Sequence, residues 1–234
     1  MDERTRKSFL MWTKTEEYHS RICEAEEIIR KAYEKISRPF VSFSGGKDST
    51  VMLHLVLQQD SNVLVLHWDY GRYYMPREIE AEILANAQKI GAKNIRVETS
   101  IQYEKQKRKA VNVIGRDLIG RIMPKMKAEG YDCCFLGLRA EESMKRKRRT
   151  KTWLEYHGEH VAPANVFPIR RLKWLDVWGY IVSNGLPYPK IYDLYAPLLG
   201  WDKARLVTFF DMEFEKLGSP YVDGFLLPGF RNWV

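Results

Sequence analysis

Apolar residues return at two different rhythms along this chain. In residues 14–37, Tyr18, Ile22, Ala25, Ile29, Ala32 and Ile36 fall at alternating steps of four and three, one stripe on a helix of about six turns. Glu16 and Glu17 come early and Arg30, Lys31 and Lys35 late, as a helix dipole favours. The stripe ends after about three heptads, so it predicts a helix packed on the domain rather than a dimerising coiled coil.

Pro39 closes that helix, and the rhythm changes to a short β-favouring run, Phe40, Val41, Ser42 and Phe43. Helical spacing resumes at Val51 and Leu55, so residues 39–55 read as strand, tight loop, helix. A second run, residues 62–71, is apolar without alternation until His67, Trp68 and Asp69, which suggests a strand covered on both faces and hence a parallel sheet. Pro76 opens a helix from Arg77 to about Ile90, with Gly91 as its C-cap. Residues 94–99 read as a third strand, residues 101–129 as a helix broken near Pro124, and residues 131–138 as a fourth, buried strand in which Cys133 and Cys134 act as small hydrophobes. Trp174, Val177, Trp178 and Ile181 share one helix face. A final helix is expected over residues 202–217, followed by a Pro/Gly-punctuated aromatic tail.

The loop between the first strand and its helix carries the chemistry. Gly45 and Gly46 permit backbone conformations closed to other residues and let an anion approach the main chain. The following helix offers unpaired N–H donors and the positive end of its dipole. Lys47 adds a cation, and Ser44, Ser49 and Thr50 add hydroxyls. A Walker A loop would need a glycine where Val41 stands and Ser or Thr where Asp48 stands, so this is a different phosphate loop.

Composition changes the picture only in places. At 234 residues and 45% hydrophobic, the chain can bury one full core. No apolar run approaches the roughly 20 residues that span a bilayer, and no signal-peptide pattern opens the sequence, so a cytoplasmic protein is expected, with no membrane partner. Cys23, Cys133 and Cys134 offer neither a zinc nor a four-cysteine iron–sulfur pattern. The net charge of +8 and pI near 9.3 suit anionic partners.

The run Ser44, Gly45, Gly46, Lys47, Asp48, Ser49 resembles the pyrophosphate loop of the PP-loop ATP pyrophosphatases, and within them the phosphoadenosine phosphosulfate (PAPS) reductase family. Two further segments carry the resemblance. One runs from Gly137 through Arg139 to Ser143, with Arg146 beyond it; the other spans residues 165–193, where Leu172 replaces a tryptophan of the family pattern. The resemblance covers roughly residues 25–195 and implies a mainly parallel five-stranded α/β sheet between helices, of the adenine nucleotide alpha hydrolase-like type. In that picture residues 1–37 form an N-terminal helical segment, 38–200 the nucleotide domain and 201–234 a C-terminal helix and tail.

The resemblance also implies cleavage of ATP between its α and β phosphates and transfer of AMP to a small anionic acceptor, as in members acting on sulfate or flavin. It assigns charge neutralisation to Lys47, Arg139 and Arg146, and nucleotide binding to Ser44, Gly45, Gly46, Lys47, Asp48, Ser49, Asp69, Gly137 and Ser143. Mg²⁺ is expected on Asp48 or Asp69. Asp69 and Gly71 keep the family's Asp-Thr-Gly and Tyr70 replaces its threonine; no cysteine follows Cys134 where true reductases carry their catalytic thiol, and the Lys47 loop is complete, so ATP cleavage is expected rather than PAPS reduction. Two other readings compete: nucleic-acid modification of the phosphorothioation kind, favoured by the basic run 145–151, and a non-catalytic nucleotide-binding subunit. That basic run reads either as a mobile solvated loop or as a nucleic-acid contact. A homo-oligomer or a partner subunit is compatible with all of this.

Overall fold

A computed structural model describes residues 1–71, 75–100, 117–158 and 161–206. Helix α1 (Glu3–Trp12) starts at Asp2, whose carboxylate accepts the Thr5 N–H at 2.9 Å; α2 (Glu16–Lys35) starts at Thr15, whose hydroxyl accepts from Tyr18 at 3.3 Å. Both lie in the segment 1–37 expected to be helical, though the apolar stripe located only the second. The first buries only Phe9, too little for a stripe to show in the sequence. The alternation of strands and helices then follows as β1 (Pro39–Phe43), α3 (Lys47–Gln59), β2 (Leu64–Asp69), α4 (Arg77–Ile90) and β3 (Asn94–Thr99).

After the undescribed residues 101–116, a π-helical turn at Leu118–Ile122 leads into α5 (Met123–Ala128). The expected break near Pro124 is therefore a change of helix type, with the proline in the first turn of α5, where its missing N–H costs nothing. Strand β4 is only Cys133–Phe135, shorter than the apolar run suggested. Then come α6 (Met144–Arg149), β5 (Leu154–Glu155), β6 (Ala164–Val166), α7 (Trp174–Ser183) and α8 (Ile191–Leu199). Two expectations need correction. Residues 145–149 are helical, not a mobile loop, and residues 202–206 do not begin a helix; residues 207–217 and the tail lie outside the described residues.

The strands join in one sheet of order β3-β2-β1-β4-β6-β5. The five that run β3-β2-β1-β4-β6 are parallel, and the two-residue β5 adds an antiparallel sixth at the edge, where five had been expected. Two strand residues give no readable period, which is why the sequence did not announce it. Successive residues point to opposite faces. Val41, Phe43, Val65, Cys133 and Phe135 pack with α2, α3, α4 and α7, while Phe40, Leu64, Leu66, Trp68 and Cys134 pack with Ile122 and Met126. Cys133 and Cys134 thus serve one face each, and burial pushes both thiols up from their ordinary range.

The N-terminal helices are tied to α7 by one buried carboxylate. Asp176 accepts Trp12 Nε1 at 2.7 Å, the Arg21 guanidinium at 3.2 and 3.3 Å, and its own N-cap N–H, from Lys173, at 2.6 Å. Phe9 packs among Trp174, Trp178 and Trp201 beside it. Among the described residues no helix is long and apolar enough to cross a membrane.

Candidate functional site

Strand β1 is central, with β2 on one side and β4 on the other, so the direction of winding reverses between β1 and β4. A crevice at the carboxyl ends of the strands is where ligands bind in such sheets. Both loops that border it are the ones singled out by sequence. Gly45 turns the first loop at φ +77°, and a Cβ there would lie 2.5 Å from Ile83 of α4. Gly46 is the N-cap of α3, and its carbonyl accepts the Ser49 hydroxyl at 2.9 Å. Ser44 and Ser49 lie 3.1 Å apart, Oγ to Oγ. Across the crevice, a Cβ on Gly137 would stand 3.2 Å from the Ser49 backbone, so glycine lets the β4 loop rest directly on the start of α3.

The charged residues form a network, and it is mostly buried. The Lys47 amine, 1% exposed, donates to the Ala204 carbonyl at 2.7 Å and lies 3.7 Å from Asp48. Desolvation lowers its pKa, opposed by the Asp48 charge. Arg139, 2% exposed, donates from Nε to Asp48 at 2.5 Å and from a terminal nitrogen to Glu141 at 2.6 Å. Burial works to raise the Asp48 carboxyl, but Arg139 and Lys47 hold it well below the usual carboxylate range. Burial likewise opposes the Arg139 charge, yet Asp48, Glu142 and Glu141 push its pKa up. Lys47 and Arg139 therefore face carboxylates and a carbonyl, and set the potential of the loop from beneath it.

Glu142 is a second hub. It pairs with Arg146, with Arg205 at 3.2 Å, and accepts the Arg139 N–H at 3.2 Å. Ser143 is the N-cap of α6, accepting from Arg146 N at 3.1 Å. The sequence reading missed Arg205, which lies in the span assigned to a helix. Tyr192 is buried, and its hydroxyl accepts the N–H of Lys47 and of Leu206, each at 3.2 Å. Tyr188 donates to Asp193 at 2.9 Å. Tyr192 thus caps one of the orphan donors of α3. His67 was also missed. Its Nδ1 donates to the Phe43 carbonyl at 2.8 Å and its Nε2 meets Glu80 at 2.6 Å, fixing the entry to the loop from β2 and α4.

Asp69 ends β2, as expected, and accepts the Gly71 N–H at 2.6 Å and both terminal nitrogens of Arg77 at 2.9 and 3.0 Å. Burial opposes its charge, but Arg77 and that N–H lower its pKa. Asp48 and Asp69 are each claimed by an arginine, and among the described residues no three His, Cys, Asp or Glu side chains converge as a metal site would need. The donor set does not fit a resident Mg²⁺; an ion held by nucleotide phosphates and water needs no more than one of these carboxylates.

A parallel sheet, a glycine loop at its switch point and a second glycine packed on the same helix start define an α/β domain of the nucleotide-fold class whose loop differs from the Walker scheme. The phosphoadenosine phosphosulfate reductase domain profile matches residues 38–219, and the chain belongs to that family. Among curated proteins it is 29% identical to sulfate adenylyltransferase subunit 2 of Mycobacterium sp. (strain JLS), over 74% of this chain and 64% of that protein. The corresponding protein of Mycobacterium tuberculosis (strain ATCC 25618 / H37Rv) is 28% identical with the same coverage. The chain thus spans about two thirds, 64%, of the length of these curated relatives. Solved structures similar in fold include PAPS reductase from Candida auris in a phosphate complex, at TM-score 0.51 and 17% identity over 73% of this chain and 84% of that one. Candida glabrata FMN adenylyltransferase with FAD and inorganic pyrophosphate gives TM-score 0.55 and 12% identity over 75% and 60%.

Proposed function

We propose that this chain binds MgATP across the crevice between β1 and β4, cleaves it between the α and β phosphates, and passes AMP to a small oxyanion, with sulfate the first candidate. The observation that carries this reading is the loop itself: Gly45 at φ +77° and the α3 N-terminus, with Gly137 packed against Ser49. The name carried by the curated relatives supports both the acceptor and a companion subunit. The three cysteines give thiol chemistry no support, since Cys133 and Cys134 are buried in β4 and Cys23 sits on α2.

In this reaction an acceptor oxygen forms a bond to the α phosphorus while the bond from that phosphorus to the bridging oxygen breaks, and pyrophosphate leaves with the electron pair. Such chemistry rests on positioning and on charge neutralisation. The first-turn N–H groups of α3 and the Ser44 and Ser49 hydroxyls would receive the pyrophosphate. Lys47, Arg139 and Arg146 would supply positive potential around it. Asp48 would serve chiefly to hold Arg139 and Lys47, and Asp69 would border the nucleotide from β2. Mg²⁺ would arrive as part of the substrate, and a substrate of this kind fits a cytoplasmic protein.

The test is product analysis of MgATP with sulfate or FMN, with inorganic pyrophosphatase present to draw the reaction forward. Acceptor-dependent phosphate from pyrophosphate, together with an adenylylated product, is expected. Formation of ADP, or no product with the chain and a companion subunit together, overturns the reading. Lys47→Ala should abolish turnover, and unchanged turnover would remove this amine from the mechanism.

A further inference from the structure

Helix α6 breaks the local rules of helix electrostatics. It follows directly on the Arg139 to Ser143 loop at the rim of the crevice and reads Met-Lys-Arg-Lys-Arg-Arg, with no acidic residue in its first turn. Lys145 stands where the dipole favours an acid. Like charges meet at three- and four-residue spacing, Lys145 with Arg148 and with Arg149, each pair destabilising, and Lys151 follows just beyond the helix. The fold nevertheless holds the helix at both ends. Ser143 caps its start, and Arg170 donates to the carbonyls of Thr150 at 2.8 Å and Lys151 at 2.5 Å.

Its cations divide into two sets. Arg146 turns inward to Glu142 and Arg149 to Glu155. Lys145, Lys147, Arg148 and Lys151 are exposed and form no ion pair among the described residues. Elsewhere, one residue beyond β5, Tyr156 is 75% exposed. A fixed strip of uncompensated charge that lowers stability marks a surface kept for a partner, not for the fold. Neighbouring charges about 5–6 Å apart along a helix suit a chain of phosphates, since one small anion reaches only one or two of them.

We infer that the outward face of α6, with Lys151 just beyond its end, is a docking surface for nucleic acid, gripping the phosphate backbone through Lys145, Lys147, Arg148 and Lys151. Backbone phosphates displace counterions as they bind, so the contact weakens with salt in proportion to the number of cations engaged.

The experiment measures fluorescence anisotropy of a labelled 20-nucleotide single-stranded DNA, the matching RNA and a 20-base-pair duplex with the full chain from 50 to 200 mM salt. No ATP is present, so the outcome is independent of adenylyl transfer. Four contacts predict a log–log salt slope of about −3 for single strands and about −4 for the duplex. Replacing Lys145, Lys147, Arg148 and Lys151 together by Gln should weaken binding by about 100-fold or more at 50 mM salt and flatten the slope. Because the change relieves repulsion, the variant should melt no lower than the parent. The double variant Arg148→Gln, Lys151→Gln should lose about half the slope and serves if the fourfold variant folds poorly. Absence of binding to all three oligonucleotides, or an unchanged slope in the variants, overturns the inference. Displacement by polyglutamate as effective as by unlabelled oligonucleotide would overturn it in favour of an acidic protein.

Discussion

Gly45 carries the tightest constraint at the scale of single residues. A side chain there meets both an unfavourable φ of +77° and the Ile83 methyl and methylene carbons at 2.5 to 2.9 Å. Gly45→Ala should therefore cost about 2–4 kcal/mol in urea unfolding and weaken pyrophosphate binding measured by calorimetry. Adding Ile83→Ala should recover the steric part and not the φ part, so the two changes should be non-additive. Asp48 is the other sensitive position, because Arg139 and Lys47 are buried around it. Asp48→Asn should cost about 3 kcal/mol, since it leaves an uncompensated buried charge. The folded carboxyl titrates below its unfolded value, so its contribution is present above about pH 4 and disappears as pH falls through the folded value. The variant should lose that share of the acid sensitivity.

Among the elements, α1 and α2 depend on α7 through Asp176. This residue belongs to the tryptophan-rich segment that marked the family by sequence, and in the structure it joins three helices and touches no part of the phosphate loop among the described bonds. Asp176→Ala should leave the Trp12 indole N–H and the Arg21 guanidinium without their acceptor and cost about 3–5 kcal/mol in chemical denaturation. Tyr192 links α8 to the loop in a similar way. Tyr192→Phe should cost about 1–3 kcal/mol, because the Lys47 and Leu206 N–H groups are buried and lose their acceptor. A melting curve unchanged by either substitution would contradict these assignments.

For the molecule as a whole, several partly buried carboxylates titrate below their ordinary range because arginine or lysine partners outweigh burial: Asp48, Asp69, Glu98 and Glu155. All shift in the same direction. Their joint contribution is complete above the unfolded values near 4 to 4.5 and is lost below them. Thermal melts across pH should thus show a plateau from about pH 5 to 7 and a falling limb below about pH 4.5. A melting temperature that rises on acidification would refute the network.

The order of strands and helices, the glycine loop and the residues at its strand end were legible in the sequence, because each is written in local terms. Apolar period, proline and glycine placement, and hydroxyls at a helix start depend on neighbours within about one turn. Short elements escaped: α1 buries one residue and β5 has two, so neither generates a period. The helix within the basic run, read as a solvated loop or a nucleic-acid contact, escaped too: its own charges oppose a helix, and Ser143 and Arg170, with Glu142 and Glu155, overrule them. Long-range partners escaped for the same reason. Lys47 meets Ala204 across 157 positions, Arg139 meets Asp48 across 91, and Tyr192 reaches the loop across 145. The sequence by itself determined which residues form the glycine loop and which kind of sheet presents it. Only the tertiary structure decided that Lys47 and Arg139 are buried among carboxylates and carbonyls, because burial and charge pairing are properties of chain segments brought together by the sheet and cannot be read from any one of them.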